Sequence, residues 1–430
     1  MADNAEWDRR SLLRGAAAAA GAAMTVPLLG GTATAQAGSG DADALFRAGR
    51  FEQAARAYER ILRKDPGNVD AARQRGYAAL LVNRFPDAER YLKAAVELAP
   101  DDKKAHRLLA DCYTRQDRFS LAAPHWKAAG EESQAELFAA FRGEPYRIRG
   151  DVARVPWRQM DPMPTVQASL NGGPPKDLSF YTRVASLNLS ARAAKEAGLR
   201  AVTEERFEYQ GRTVTYSSGI LDSFELGGIE LRNIPVSWSD TDDTSESGDG
   251  LIGTWILYHF LTTVDYAGRS LILRRRTPET ADRARAAAER SGAEALPLWL
   301  AREHLLFSRG SIAGRADSGE RVVALNIGGG GEMVASTTEE TARRLRIRVD
   351  RDRPMETSAG GRFITAHPCY PKEVRLGGAV ADDVYCYVDD ALDREGFDVL
   401  ANFSHGFYKP YNITLDFTGM NVYIARGRAT

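Results

Sequence analysis

The sequence predicts a multidomain α plus mainly β protein, an N-terminal helical solenoid followed by a two-lobed β-barrel domain. Two internal periods carry that expectation: one of 34 residues in the N-terminal third and one of 150 to 151 residues further on. After Arg142 the chain changes from alanine-rich helical patterning to short β-branched and aromatic runs broken by Gly, Pro, Asn and Asp, which places the junction.

At 430 residues, with 43% hydrophobic and 27% charged side chains, the chain has material for two or three cored domains. Lys plus Arg (57) balances Asp plus Glu (58), so no global field argues for nucleic acid or an anionic membrane. Residues 1–37 read as a twin-arginine export leader: Arg9-Arg10 precede the mild alanine-rich stretch Gly15 to Gly31, and the small residues Ala33-Thr34-Ala35-Gln36-Ala37 end it. The expectation is a mature protein starting near Gly38, folded before export and working outside a bacterial cytoplasm. No later run reaches the roughly 18 apolar residues of a membrane span.

In residues 38–141, Phe51, Phe85 and Phe119 recur at a step of 34, as do Ala54, Ala88 and Ala122, then Tyr58, Leu92 and Trp126, and Pro66 with Pro100. Small residues allow close helix approach, aromatics fill the groove, and proline ends each second helix. The pattern resembles tetratricopeptide (TPR) repeats, with Glu131 to Phe141 as a capping helix. It implies a concave surface for a peptide or protein partner, or a structural arm.

Residues 142–276 and 297–430 read as two β lobes joined by a helix-like linker, 277–296. Val264-Asp265-Tyr266-Ala267-Gly268 matches Leu415-Asp416-Phe417-Thr418-Gly419, and Leu226-Gly227-Gly228 matches Leu376-Gly377-Gly378. Asp249-Gly250-Leu251-Ile252-Gly253-Thr254 and Phe403-Ser404-His405-Gly406 complete a pattern that resembles the pepsin and retropepsin superfamily of aspartic proteases, over residues 164 to 425. That resemblance implies a carboxylate pair sharing one proton, one aspartate per lobe in an Asp-Thr/Ser-Gly loop.

Neither loop has one. In lobe 1 the stretch is Tyr181-Thr182-Arg183-Val184-Ala185-Ser186; alignment on Thr182 places Tyr181 at the acid position, and alignment on Ala185-Ser186 places Thr182 there. In lobe 2 the apolar run Val322 to Leu325 leads into Asn326-Ile327-Gly328-Gly329-Gly330-Gly331, so asparagine stands where aspartate is expected; an alternative register uses Glu332. Asparagine keeps the shape of aspartate without a titrating proton. Asp177 is the nearest acid in lobe 1 and reads as a strand-edge residue.

No His or Cys spacing matches a metal site and no cofactor is expected; His304, His367 and His405 read as structural or cleft-lining side chains. Asp240 to Glu246 reads as a solvated acidic loop, and His367-Pro368-Cys369-Tyr370-Pro371 as a constrained turn. Cys369 and Cys386 are candidates for a disulfide. The candidate ligand-binding cleft comprises Tyr181, Thr182, Arg183, Asn326, Gly328, Glu332 and His405. Three functions follow as expectations: a non-proteolytic module binding a peptide, protein or other ligand; an isomerase- or cyclase-type enzyme using the cleft on a small molecule; or a divergent aspartic protease using Glu332 or Asp177.

Overall fold

The computed structural model describes residues 33–209, 212–240, 248–359, 362–389, 392 and 395–427. The twin arginine and apolar stretch of the leader, and the acidic loop from residue 241, lie outside them. Seven helices come first: α1 (Ala33–Arg47), α2 (Phe51–Lys64), α3 (Val69–Leu80), α4 (Phe85–Leu98), α5 (Lys103–Thr114), α6 (Phe119–Ala128) and α7 (Glu132–Ala140). The period of 34 is a packing period. Ala54, Ala88 and Ala122 are wholly buried, and Tyr58, Leu92 and Trp126 fill the space beside them. Asn68 and Asp102 cap α3 and α5 by accepting from backbone N–H groups of the first turn.

This solenoid lies on the β domain along the turns inside its repeats. Arg47 O accepts from Asp398 N–H (2.8 Å) and Leu81 O from Leu300 N–H (3.0 Å). Asp117 meets His259 at 3.0 Å, and Tyr146 stacks on that same ring at 3.8 Å. Phe46, Phe51, Trp299, Phe307 and Phe397 form one aromatic cluster across the junction. A buried ion pair, Arg115 with Asp111 at 2.5–2.6 Å, also donates to Leu80 O at 2.9 Å.

Beyond α7 are two lobes and a shared sheet. Lobe 1 is an eight-stranded sheet with a long hairpin, Ala201–Tyr209 and Arg212–Leu226. Lobe 2 has the shorter hairpin Met355–Ala359 and Arg362–Tyr370. Six strands from both halves form the sheet beneath them, with Phe260–Asp265 against Tyr411–Asp416 at its centre. There Thr263 faces Thr414, hydroxyl to hydroxyl at 2.8 Å, and the two residues are 151 apart in sequence. The sequence period is therefore a pseudo-twofold axis. The linker forms a helix, Pro278–Ser291, opened by a Thr277–Thr280 capping box and closed by Gly292 in the left-handed region.

One sequence expectation needs correcting. His367 to Tyr370 is strand, not turn, because partners lie on both sides: Val349 pairs with Cys369 on one and Cys386 with Cys369 on the other. Pro368 is tolerated, its carbonyl accepting from Asp350 N–H at 2.8 Å. Cys369 and Cys386 thus face each other in register, and both are buried free thiols. Among the described residues no helix is long and apolar enough to cross a membrane.

Candidate functional site

Two loops meet on the axis. Tyr181–Ser186 leaves the buried strand Lys176–Phe180, and Asn326–Val334 leaves Arg321–Leu325. The Thr182 hydroxyl crosses between lobes, donating to Leu325 O (3.0 Å) and accepting from Ile327 N–H (2.9 Å). Thr182 N–H donates to Ile327 O at 3.1 Å. Thr182 and Ile327 are therefore equivalent, and so are Tyr181 and Asn326. The support behind them agrees: Tyr181 N–H donates to Ile252 O as Asn326 N–H does to Phe403 O, and Thr254 N–H to Val184 O as His405 N–H does to Gly329 O.

This geometry corrects two alternatives. Thr182 is the lobe-bridging residue, wholly buried, and not the acid-position residue. Glu332 lies six residues beyond Asn326 with its side chain 80% exposed, held by Lys409 at 2.7 Å. Asp177 engages Asp249 through its backbone, away from the axis. Arg183 is buried beside Thr182.

The opposing lobe explains the first two glycines of the run. A Cβ on Gly328 (φ +92°) would lie 2.1 Å from Phe180 O, and one on Gly329 would lie 2.1 Å from Cε2 of Tyr181. The Tyr181 ring, packed with Met163, Val184 and Leu251, thus closes over the lobe 2 backbone at Gly329. We expect Gly329→Ala to cost about 1–3 kcal/mol by overpacking. In a Tyr181→Ala background the same change should cost almost nothing; a urea-unfolding double-mutant cycle measures the coupling, and equal costs in both backgrounds would refute the contact.

Polar groups sit beneath. Gly328 N–H bonds to the Tyr266 hydroxyl, which pairs with His405 Nδ1 at 3.0 Å, and His405 Nε2 reaches Asp161 Oδ1 at 3.3 Å. Lys409 joins Asp161 (2.5 Å) to Glu332. Burial holds His405 down at about 4, with Lys409 adding to the shift and Asp161 opposing it. For Asp161, burial raises the carboxyl, but Lys409 and His405 outweigh it and hold it below the usual range. Asn326 Oδ1 and Ser404 Oγ are buried without a partner among the described residues. Among those residues no three His, Cys, Asp or Glu side chains group as metal ligands.

Sequence reasoning missed Asp161, Tyr266 and Lys409. The available signal was asymmetry between the repeats: Tyr266 stands opposite Phe417, and His405 opposite Thr254.

Comparisons with known proteins follow the same division. Residues 45–112 match a tetratricopeptide repeat family and residues 166–255, within lobe 1, an aspartyl protease family. No curated protein matches the chain. Among solved structures, a mutant O-GlcNAc transferase of Thermobaculum terrenum is similar at 20% identity and TM-score 0.24, over 26% of this chain and 24% of that one. MamA of AMB-1 is similar at 24% identity and TM-score 0.22, over 23% of this chain and 58% of that one. The first TPR of Spaghetti (RPAP3), bound to an HSP90 peptide, is similar at 20% identity and TM-score 0.22, over 23% and 80% respectively. The chain spans about a quarter of the first of these and less than two thirds of the second. It joins a segment of tetratricopeptide repeats, a class that binds peptides and proteins, to an aspartyl-protease-like β domain.

Proposed function

We propose that the protein is an exported, non-proteolytic binding module, in which the aspartyl-protease-like cleft holds an extended peptide without cleaving it. The observation that carries this reading is the pair Tyr181 and Asn326 at equivalent positions on the axis, locked by Thr182. Family-type hydrolysis needs one carboxylate to take a proton from water while the other gives one. A phenol and a carboxamide cannot exchange those roles. A carboxamide keeps hydrogen-bonding capacity without acid–base chemistry, and the Asn326 Oδ1 is a buried acceptor without a partner among the described residues. Export rests on the leader motif at residues 1–37.

The test is incubation of pure protein with a mixed peptide library from acid to neutral pH, with new N-termini read by mass spectrometry and retained peptides read after capture on immobilised protein. Retention without cleavage, reduced about tenfold by Asn326→Ala, is expected. Cleavage that disappears in Asn326→Ala would overturn the reading. The Tyr266–His405–Asp161 chain favours a second reading, a small-molecule enzyme, since it could move a proton to the loop. A metabolite turned over by the wild type and not by His405→Gln would establish that one instead.

A further inference from the structure

Away from the cleft, a groove of about 1560 Å³ runs between the α1–α3 segment and the outer face of lobe 2, and neither axial loop contributes to it. Its lining holds eight arginines against five carboxylates, in a chain whose formal net charge is -1. Arg56 and Arg84 share Glu52 at 3.8–3.9 Å, and Arg75 is paired with Glu59 and Asp87. Arg47, Arg50, Arg309, Arg321 and Arg344 make no ion pair with any described residue. All five are exposed. Between them the lining includes the edges of Phe51, Trp299 and Phe397, each more than nine-tenths buried, and the Arg309 guanidinium lies over the Trp299 ring at 5.7 Å.

We propose that this groove receives an extended peptide segment of a partner protein in which acidic and apolar side chains alternate. An extended chain sends successive side chains to opposite faces, so alternation presents carboxylates to the arginines and apolar groups to the ring edges between them. Guanidinium forks match carboxylates bidentately, and the groove concentrates the positive field. Arginines left without an internal carboxylate partner are already placed for an external anion. The inference does not depend on what the cleft does.

The experiment is fluorescence anisotropy on the full chain, with a short fluorescein-labelled peptide of alternating glutamate and leucine. We expect saturable binding at low salt that weakens as salt rises. Arg309→Glu with Arg344→Glu should weaken it at least about tenfold, while Arg290→Glu, exposed on the linker helix, leaves it unchanged. Circular dichroism verifies folding, and Arg309→Gln with Arg344→Gln replaces the reversal if that variant unfolds. No binding at low salt, equal binding of the glutamine–leucine peptide, or insensitivity to both groove variants would overturn the proposal. So would tighter binding of a DNA oligonucleotide of equal charge, which would mark a general polyanion surface.

Discussion

Replacing Arg115 with methionine should lower the stability of the helical segment by about 3–5 kcal/mol, the cost of leaving a buried charge unpaired. Arg115 grips Asp111 with two nitrogens, at 2.6 and 2.5 Å, and spends a third on Leu80 O at 2.9 Å. Both side chains are almost wholly inaccessible. Burial pushes the Asp111 carboxyl upward against the pull of Arg115; the charge of Glu303 adds to the push, and its backbone N–H opposes it. Without Arg115 the carboxylate has to protonate or carry water in, and either outcome loosens α5 from Leu80 and from Glu303. Lysine at 115 should recover only part of the loss, because an ammonium cannot make the fork. The double variant Asp111→Asn with Arg115→Met should be milder than Arg115→Met alone, since no unpaired charge remains. Urea unfolding followed by hydrogen exchange of the helical and β segments measures this separately for each. An Arg115→Met protein as stable as wild type would show the pair to be dispensable.

The second large effect is on pH. His405 is wholly buried and titrates at about 4 rather than at its ordinary value near 6.5. The folded state therefore binds fewer protons than the unfolded chain between those values, so its contribution is fully present above about 6.5 and is lost as pH falls toward 4. Two and a half units correspond to about 3 kcal/mol as an upper bound. The groups facing the ring are Asp161, Lys409, Glu332 and Tyr266, and of these Asp161 titrates lower still, so its loss belongs to more acid solution. His125, also held down by burial, contributes in the same direction and is common to both proteins compared. His405→Gln keeps hydrogen-bonding capacity toward Tyr266 and Asp161 without titrating. Wild type should lose stability faster than His405→Gln between pH 6.5 and 4, measured by chemical denaturation across that range. Parallel curves would remove His405 as the cause. A cleft stabilised near neutrality is ill suited to the acid conditions in which a shared-proton dyad works.

The helical third was legible almost residue by residue. Its contacts lie between neighbouring repeats, so the burial of Ala54, Ala88 and Ala122 is written at a fixed sequence step. The duplication was equally legible, because Thr263 and Thr414 carry the period into direct contact. His367 to Tyr370 was misread for the opposite reason. Proline and cysteine in a short run look like turn chemistry until strands from residues 348–349 and 386–388 take up both edges. The arrangement around Asp161 was not readable at all. Asp161 reaches His405 across 244 residues, and nothing local to either residue marks the other.

By itself, then, the sequence determined the repeat array, the two-lobed duplication and the absence of aspartate from both expected positions. Those are properties of period and residue identity, which a chain carries whether or not it is folded. Only the tertiary structure decided that Tyr181, and not Thr182, is the partner of Asn326, because one hydroxyl bridging two lobes sets the register. It also decided why two of the four glycines after Asn326 are there: Gly328 and Gly329 are pressed against Phe180 and Tyr181, a constraint that exists only once the lobes meet.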